Sequence, residues 1–252
     1  MFKSKLLNTL ILTALSVPGL ALAADAPATP PAVTANVGFV TNYLYRGISQ
    51  TGGKPAIQGG FDYAHASGFY AGVWGSNISW LFEEGYVNSS GSLELDTYFG
   101  FKNSFATDFS YDVGFLRYNY PGNYLAGATK ADTNEIYGLI GWKWLTAKYS
   151  RSLGDIFGTP NASGSSYIDL SANYPIADTG VTLGAHYGKQ TFAGTGHSGL
   201  TYSDYKLSAS KDFSGYAVGL AYSSTNAIKA NYTYQGNDLG KGTAVLSVTH
   251  PF

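Results

Sequence analysis

Apolar side chains recur at every second position along most of the chain, and no stretch sustains the three- and four-residue spacing of a helix. Val33, Ala35, Val37, Phe39, Thr41 and Tyr43 share one face of a first strand, and Ile57, Phe61 and Tyr63 share one face of a second. The alternation returns over 69–73, 93–101, 109–115, 136–142, 147–149, 168–174, 181–187, 205–209, 216–222 and 244–252, twelve sets in all. Each set predicts a strand with one apolar face and one small or polar face.

The connections between the sets alternate short and long. Short links fall at 65–68, 103–108, 143–144, 175–180 and 211–215, and long ones at 46–55, 77–91, 120–133, 154–165, 188–203 and 223–242. A Greek-key sandwich has no reason to place every long loop at one end. An up-and-down antiparallel barrel in an outer membrane does, because its periplasmic turns are short and its extracellular loops long. The prediction is therefore an all-β transmembrane barrel of about twelve strands over 33–252. Aromatic residues collect at the strand ends, Tyr43, Tyr45, Trp80, Tyr118 and Tyr187 by the long loops and Phe101, Phe105, Trp142, Tyr174 and Tyr216 by the turns. They suggest two interfacial girdles.

The stretch from Thr41 to Tyr63 reads as one up-and-down unit. A strand climbs through Thr41-Asn42-Tyr43-Leu44-Tyr45, a loop over 46–55 turns it, and a strand descends from Ala56. Its run T-N-Y-x-Y-R-G-x-S-x-T, then P-A-x-Q-G-G-x-D-Y, resembles the signature of the TorF family of porin-type outer-membrane proteins of Gram-negative bacteria. The resemblance implies an outer-membrane location and a barrel, and names no substrate.

Composition agrees with a wall that touches lipid. Charged residues make up only 12% of the chain, while 32 glycines and 21 tyrosines are used. A soluble domain is usually about 25% charged. The first 23 residues have the form of a signal peptide: Lys3 and Lys5, an apolar run, the Pro18-Gly19 break, and Ala21-Leu22-Ala23 for cleavage. Their removal leaves 13 basic against 16 acidic side chains. Residues 24–32 are Pro- and Ala-rich and are expected to be a disordered periplasmic leader. The absence of cysteine excludes disulfides, thiolate metal sites and a lipoprotein anchor. No basic face suits nucleic acid. Phe252, at the foot of the last strand, resembles the terminal aromatic that outer-membrane assembly machinery reads. That machinery, outer-membrane lipid and a small polar solute are the expected partners, and no cofactor is expected.

If the apolar parity faces lipid, the opposite parity lines a lumen. It carries Asp62, Glu94, Asp96, Asp112, Glu135 and Asp169 with Lys148, Lys206 and His186, and Arg46 enters at the first loop. These are the candidate pore-lining residues. A preponderance of acids implies a mild preference for cations. Bracing of a narrow barrel by paired charges is the competing reading, because twelve strands lie between the filled eight-stranded barrel and the open sixteen-stranded porin. Arg46 with Glu94 and Glu135 at the loop end suggests a constriction, against the alternative that Arg46 and Gly47 only pin the loop. Asp96 and Asp112 are expected near mid-lumen. No G-x-S-x-G motif, metal-ligand spacing or helix-opening glycine loop points to catalysis, so the function expected is a passive channel. A structural or adhesive barrel with a filled lumen is the alternative.

Overall fold

The computed structural model describes residues 32–88 and 90–252. The signal peptide and nearly all of the leader lie outside the described residues, Ala32 already opening the first strand. Twelve antiparallel strands close a barrel. In chain order they are β1 (Ala32–Val40), β2 (Ala56–Ala64), β3 (Phe69–Asn77), β4 (Leu93–Phe105), β5 (Phe109–Asn119) and β6 (Thr133–Trp142). Then follow β7 (Leu145–Ser152), β8 (Ser166–Ile176), β9 (Val181–Thr191), β10 (Tyr202–Phe213), β11 (Tyr216–Thr225) and β12 (Thr243–Pro251). Each strand pairs with its neighbours in sequence, and β1 closes the ring on β12 with Asn36 opposite Pro251 and Val40 opposite Ser247. Closure leaves no strand edge, as lipid requires.

The alternation sorts the side chains as expected. Phe61, Phe99, Ile140, Leu170, Leu207 and Leu220 stand exposed on the outer surface. Their sequence neighbours Asp62, Tyr98, Asp169, Lys206 and Gly219 have the inward parity. Five short turns join the strands at one end and all the long loops lie at the other. At the turn end Ser214 and Gly215 both have positive φ (55° and 93°), giving the two-residue hairpin whose twist matches its strands.

The first loop departs from the sequence reading. β1 stops at Val40 rather than climbing to Tyr45, and 41–55 fold inward. Leu44–Tyr45 and Ile48–Ser49 make a small hairpin of their own, turned by Arg46 (φ 47°) and Gly47 (φ 80°). Its polar backbone is satisfied locally. The Asn42 Oδ1 accepts from Ser49 Oγ at 2.6 Å, the Tyr43 N–H donates to Thr51 Oγ1 at 3.2 Å, and the Gln50 N–H donates to the Tyr43 carbonyl at 2.7 Å. Neighbouring loops then hold it from above. Ser49 donates to the Leu239 carbonyl (2.9 Å), Ser79 to that of Gln50 (2.9 Å), and Asn237 to that of Gly52 (2.8 Å).

The hairpin nucleates an apolar core inside the loop-end half of the barrel. Tyr43, Leu44, Trp80, Leu81, Val87, Tyr118 and Tyr120 are buried there against Val40, Ala56 and Val245. This corrects the loop-end girdle. Tyr43, Tyr45, Trp80 and Tyr118 turn inward, because their rings find one another: Tyr43 stands edge-on to Trp74, Tyr45 to Tyr118, and Trp80 to Tyr120. Tyr187 stays outside, in line with Tyr205 and Tyr222. At the turn end Phe105, Trp142, Tyr174 and Tyr216 are exposed on the outer surface.

The barrel interior as candidate functional site

Beneath the inward hairpin the barrel holds a cavity of about 500 Å³ that runs from Tyr43, Tyr45 and Arg46 down to Pro251 and Phe252 at the turn end. Arg46, Asp62, Asp96, Lys148, Asp169, His186 and Lys206 all line it. Glu94, Asp112 and Glu135 point inward too but do not line it. Glu94 accepts from the Tyr43 hydroxyl at 3.1 Å, Asp112 from Tyr70 at 2.7 Å, and Glu135 is engaged by Arg46.

Three clusters account for most of the interior charge. At the top, Arg46 reaches across the barrel from the hairpin. Its Nη2 donates to both oxygens of Glu135 on β6 (3.0 and 2.7 Å) and its Nη1 to Gln190 on β9 (2.6 Å). The guanidinium also lies 4.3 Å from the centre of the Tyr167 ring. The two readings of Arg46 thus meet: it pins the loop, and it does so through the acid proposed for the constriction.

On the β8–β10 wall, His186 stands between two carboxylates. Its Nδ1 faces Asp169 Oδ1 at 3.2 Å and its Nε2 faces Asp204 Oδ1 at 2.9 Å, while the Tyr167 hydroxyl donates to Asp204 Oδ2 at 2.8 Å. Asp204 escaped the sequence reading, which began this strand at Tyr205. Its signal was parity, since it lies two residues before the inward Lys206. Gln190 has the same relation to His186 and Gly188.

On the β2–β6 wall, tyrosine rings lie flat over glycines of the adjacent strand. Tyr98 covers Gly72 and donates to Asp62 on β2 at 2.6 Å. Tyr70 covers Gly100 to reach Asp112 on β5, and Tyr137 covers Gly114 to meet the Tyr70 hydroxyl. A Cβ at any of these glycines would collide with the ring above it. The Lys148 ammonium sits 3.9 Å from the centre of Tyr137, and that of Lys102 5.2 Å from Tyr70. Such contacts supply about 0.5–2 kcal/mol each.

The register corrects one expectation. Asp96 lies opposite Trp74 and Tyr118, near the loop end, whereas Asp112 lies opposite Lys102 and Leu139, near the turns. Asp96 and Asp112 are at different depths because their strands run in opposite directions. Equal offsets from the two strand starts therefore place them toward opposite ends.

A closed twelve-stranded barrel with an apolar outer band, a polar interior and long loops at one end has the architecture of outer-membrane β-barrels. The chain belongs to the family described as bacterial protein of unknown function (Gcw_chp), whose model matches residues 24–252. No curated protein matches it. Among solved structures it is similar to the KdgM porin, with a TM-score of 0.51 and 7% identity over 87% of this chain and 98% of that one. It is also similar to OprD of Pseudomonas aeruginosa (TM-score 0.41, 15% identity, 87% of this chain and 65% of that one). OccAB3 of Acinetobacter baumannii is a further match (TM-score 0.45, 12% identity, 86% and 64%). The chain spans about two thirds of the length of those two larger barrels. At these identities the likeness concerns the fold.

Proposed function

We propose that this protein is a non-enzymatic outer-membrane channel for small polar solutes, preferring cations and restricted at its extracellular side by the inward hairpin. The observation that carries the reading is the charged cavity of about 500 Å³ inside a closed barrel, extending to Pro251 and Phe252 at the turn end and roofed by Tyr43, Tyr45 and Arg46. A wall built only to brace itself would bury its charges in pairs, and Arg46–Glu135 and His186 with its two aspartates do so. Asp62, Asp96, Lys148 and Lys206 face the cavity without an ion pair among the described residues. The inward acids Asp62, Glu94, Asp96, Asp112, Glu135, Asp169 and Asp204 outnumber Arg46, Lys102, Lys148 and Lys206, which favours cations in a narrow aqueous path. Kinship with TorF-type porins, suggested by the 41–63 stretch, agrees with this. So does delivery by a signal peptide cleaved after Ala23.

The filled-lumen reading has its own support in the apolar core of the loop-end half. Planar-bilayer recording separates the two. A channel gives discrete current steps with a reversal potential displaced toward that of potassium in a potassium chloride gradient. A barrel that never conducts, in wild type or with the hairpin released, is structural.

A further inference from the structure

We infer that the roof of the cavity is a binding subsite for a small organic ammonium ion, with Asp96 as its counter-charge. The inference rests on the channel reading, since it names a solute class for that interior.

Asp96 is only 3% exposed, yet its Oδ1 has no hydrogen-bond partner in the protein, and no basic side chain pairs with it among the described residues. Two cations that line the same cavity are committed elsewhere, Arg46 to Glu135 and Gln190, and Lys148 to the face of Tyr137. A buried carboxyl stays ionised only with a partner of opposite charge or a set of donors, and otherwise takes up a proton. Asp96 lines the cavity, so that partner can come from the solute.

The surroundings select the kind of cation. Trp74 and Tyr118 lie directly opposite Asp96 on the two flanking strands, and Tyr43 stands 5.6 Å from Trp74, ring centre to ring centre. All three line the same cavity. Aromatic faces attract ammonium groups, and the barrel already shows this with its own lysines over Tyr137 and Tyr70. No lysine or arginine of the described residues covers Trp74 or Tyr118. A divalent metal would need more ligands than one carboxylate, and no group of three His, Cys, Asp or Glu among the described residues could hold one. One carboxylate between aromatic rings, in a cavity of small-molecule size, suits an alkylammonium group.

The test is calorimetric titration of the refolded full-length barrel in detergent with choline chloride, against potassium chloride at equal ionic strength. Wild type should bind choline saturably. Asp96→Asn should weaken binding at least tenfold, Trp74→Leu by about threefold to tenfold, and Asp178→Asn, in the exposed β8–β9 turn, should leave it unchanged. Heat-modifiable migration confirms that each variant is folded, and partial recovery in Asp96→Glu is the check if Asp96→Asn is not. Absence of saturable binding in wild type, or equal binding in Asp96→Asn, overturns the subsite. Liposome swelling with a neutral sugar tests the channel separately. Swelling without choline binding removes the subsite alone, and choline binding without swelling removes the channel alone.

Discussion

Arg46 and Glu135 are 89 positions apart in sequence and meet inside the barrel, one guanidinium nitrogen contacting both carboxylate oxygens. The contact ties the first loop to the opposite wall. It is buried on both sides, Arg46 at 7% and Glu135 at 2% exposure, and Gln190 takes a second guanidinium nitrogen.

Removing the cation should therefore release the hairpin. Arg46→Ala leaves Glu135 buried without a counter-charge, a loss of about 3–5 kcal/mol. The unfolding midpoint in urea should fall and single-channel conductance should rise. Arg46→Lys should recover little, because an ammonium does not reproduce the guanidinium's simultaneous contacts to Glu135 and Gln190. Wild-type stability and conductance in Arg46→Ala would show that the pair does not hold the loop.

Loop contacts outside the barrel wall should respond to pH. Glu84 ends the short helix Trp80–Glu83 in the β3–β4 loop. Burial pushes its carboxyl from the ordinary 4.5 up to about 8; the Tyr234 hydroxyl in the last loop pulls it back, and Glu83 adds to the rise. The folded loop thus binds a proton that the unfolded chain has released between these values. Its stability is greatest below about 4.5 and declines as pH rises through about 8. Hydrogen exchange at the Glu84 and Tyr86 amides, which bond to Trp80 and Leu81, should quicken over that range beyond the intrinsic rate. Glu84→Gln should flatten the response. A flat wild type, or an unchanged slope in the variant, would refute it.

Single cysteines report the orientation. Lys130→Cys and Thr195→Cys lie exposed in long loops, and Ser67→Cys and Thr179→Cys in short turns. A membrane-impermeant maleimide should label the first pair on intact cells and the second only after the envelope is opened. Reversed labelling would invert the barrel.

The last residue closes the ring. Phe252 exchanges two backbone hydrogen bonds with Ala35 (2.8 and 3.3 Å), and its ring meets His250, which stacks on Tyr216 at 4.5 Å. Deleting Phe252 should lower the yield of heat-modifiable protein several-fold. An unchanged yield would mean that the seam between β1 and β12 forms without it.

Much of this architecture was legible because two periodicities coincide. Alternation places Asp62, Lys148, Asp169 and Lys206 inside, and the long-short rhythm of connections closes the barrel. The inward hairpin was not legible from alternation. Thr41, Tyr43 and Tyr45 continue the pattern of β1 without a break, and only the Arg46-Gly47 turn distinguishes a folded-in loop from an extended one. The depth of Asp96 relative to Asp112 depends on strand register, which parity does not carry. The 41–63 stretch was recognisable as a unit because Asn42, Tyr43, Arg46, Gly47, Ser49 and Thr51 all serve the plug. Its partners Glu135 and Gln190 lie far along the chain, where parity marks them as inward-facing but does not say which of the inward side chains Arg46 meets.

The flat tyrosines on the β2–β6 wall also determine how the strands can assemble. Tyr98 faces Gly72 and Tyr70 faces Gly100 across one seam, and Tyr137 faces Gly114 across another. A slip of two residues between β3 and β4 in one direction opposes Tyr70 to Tyr98 and Gly72 to Asp96. In the other direction Trp74 meets Tyr98. Both slips preserve the apolar outside, so the lipid face alone does not discourage them. The large-against-small matching does, since two rings cannot occupy the space made for one. These pairs act as keys cut for a single alignment, letting a wall rich in glycine zip into one barrel rather than several.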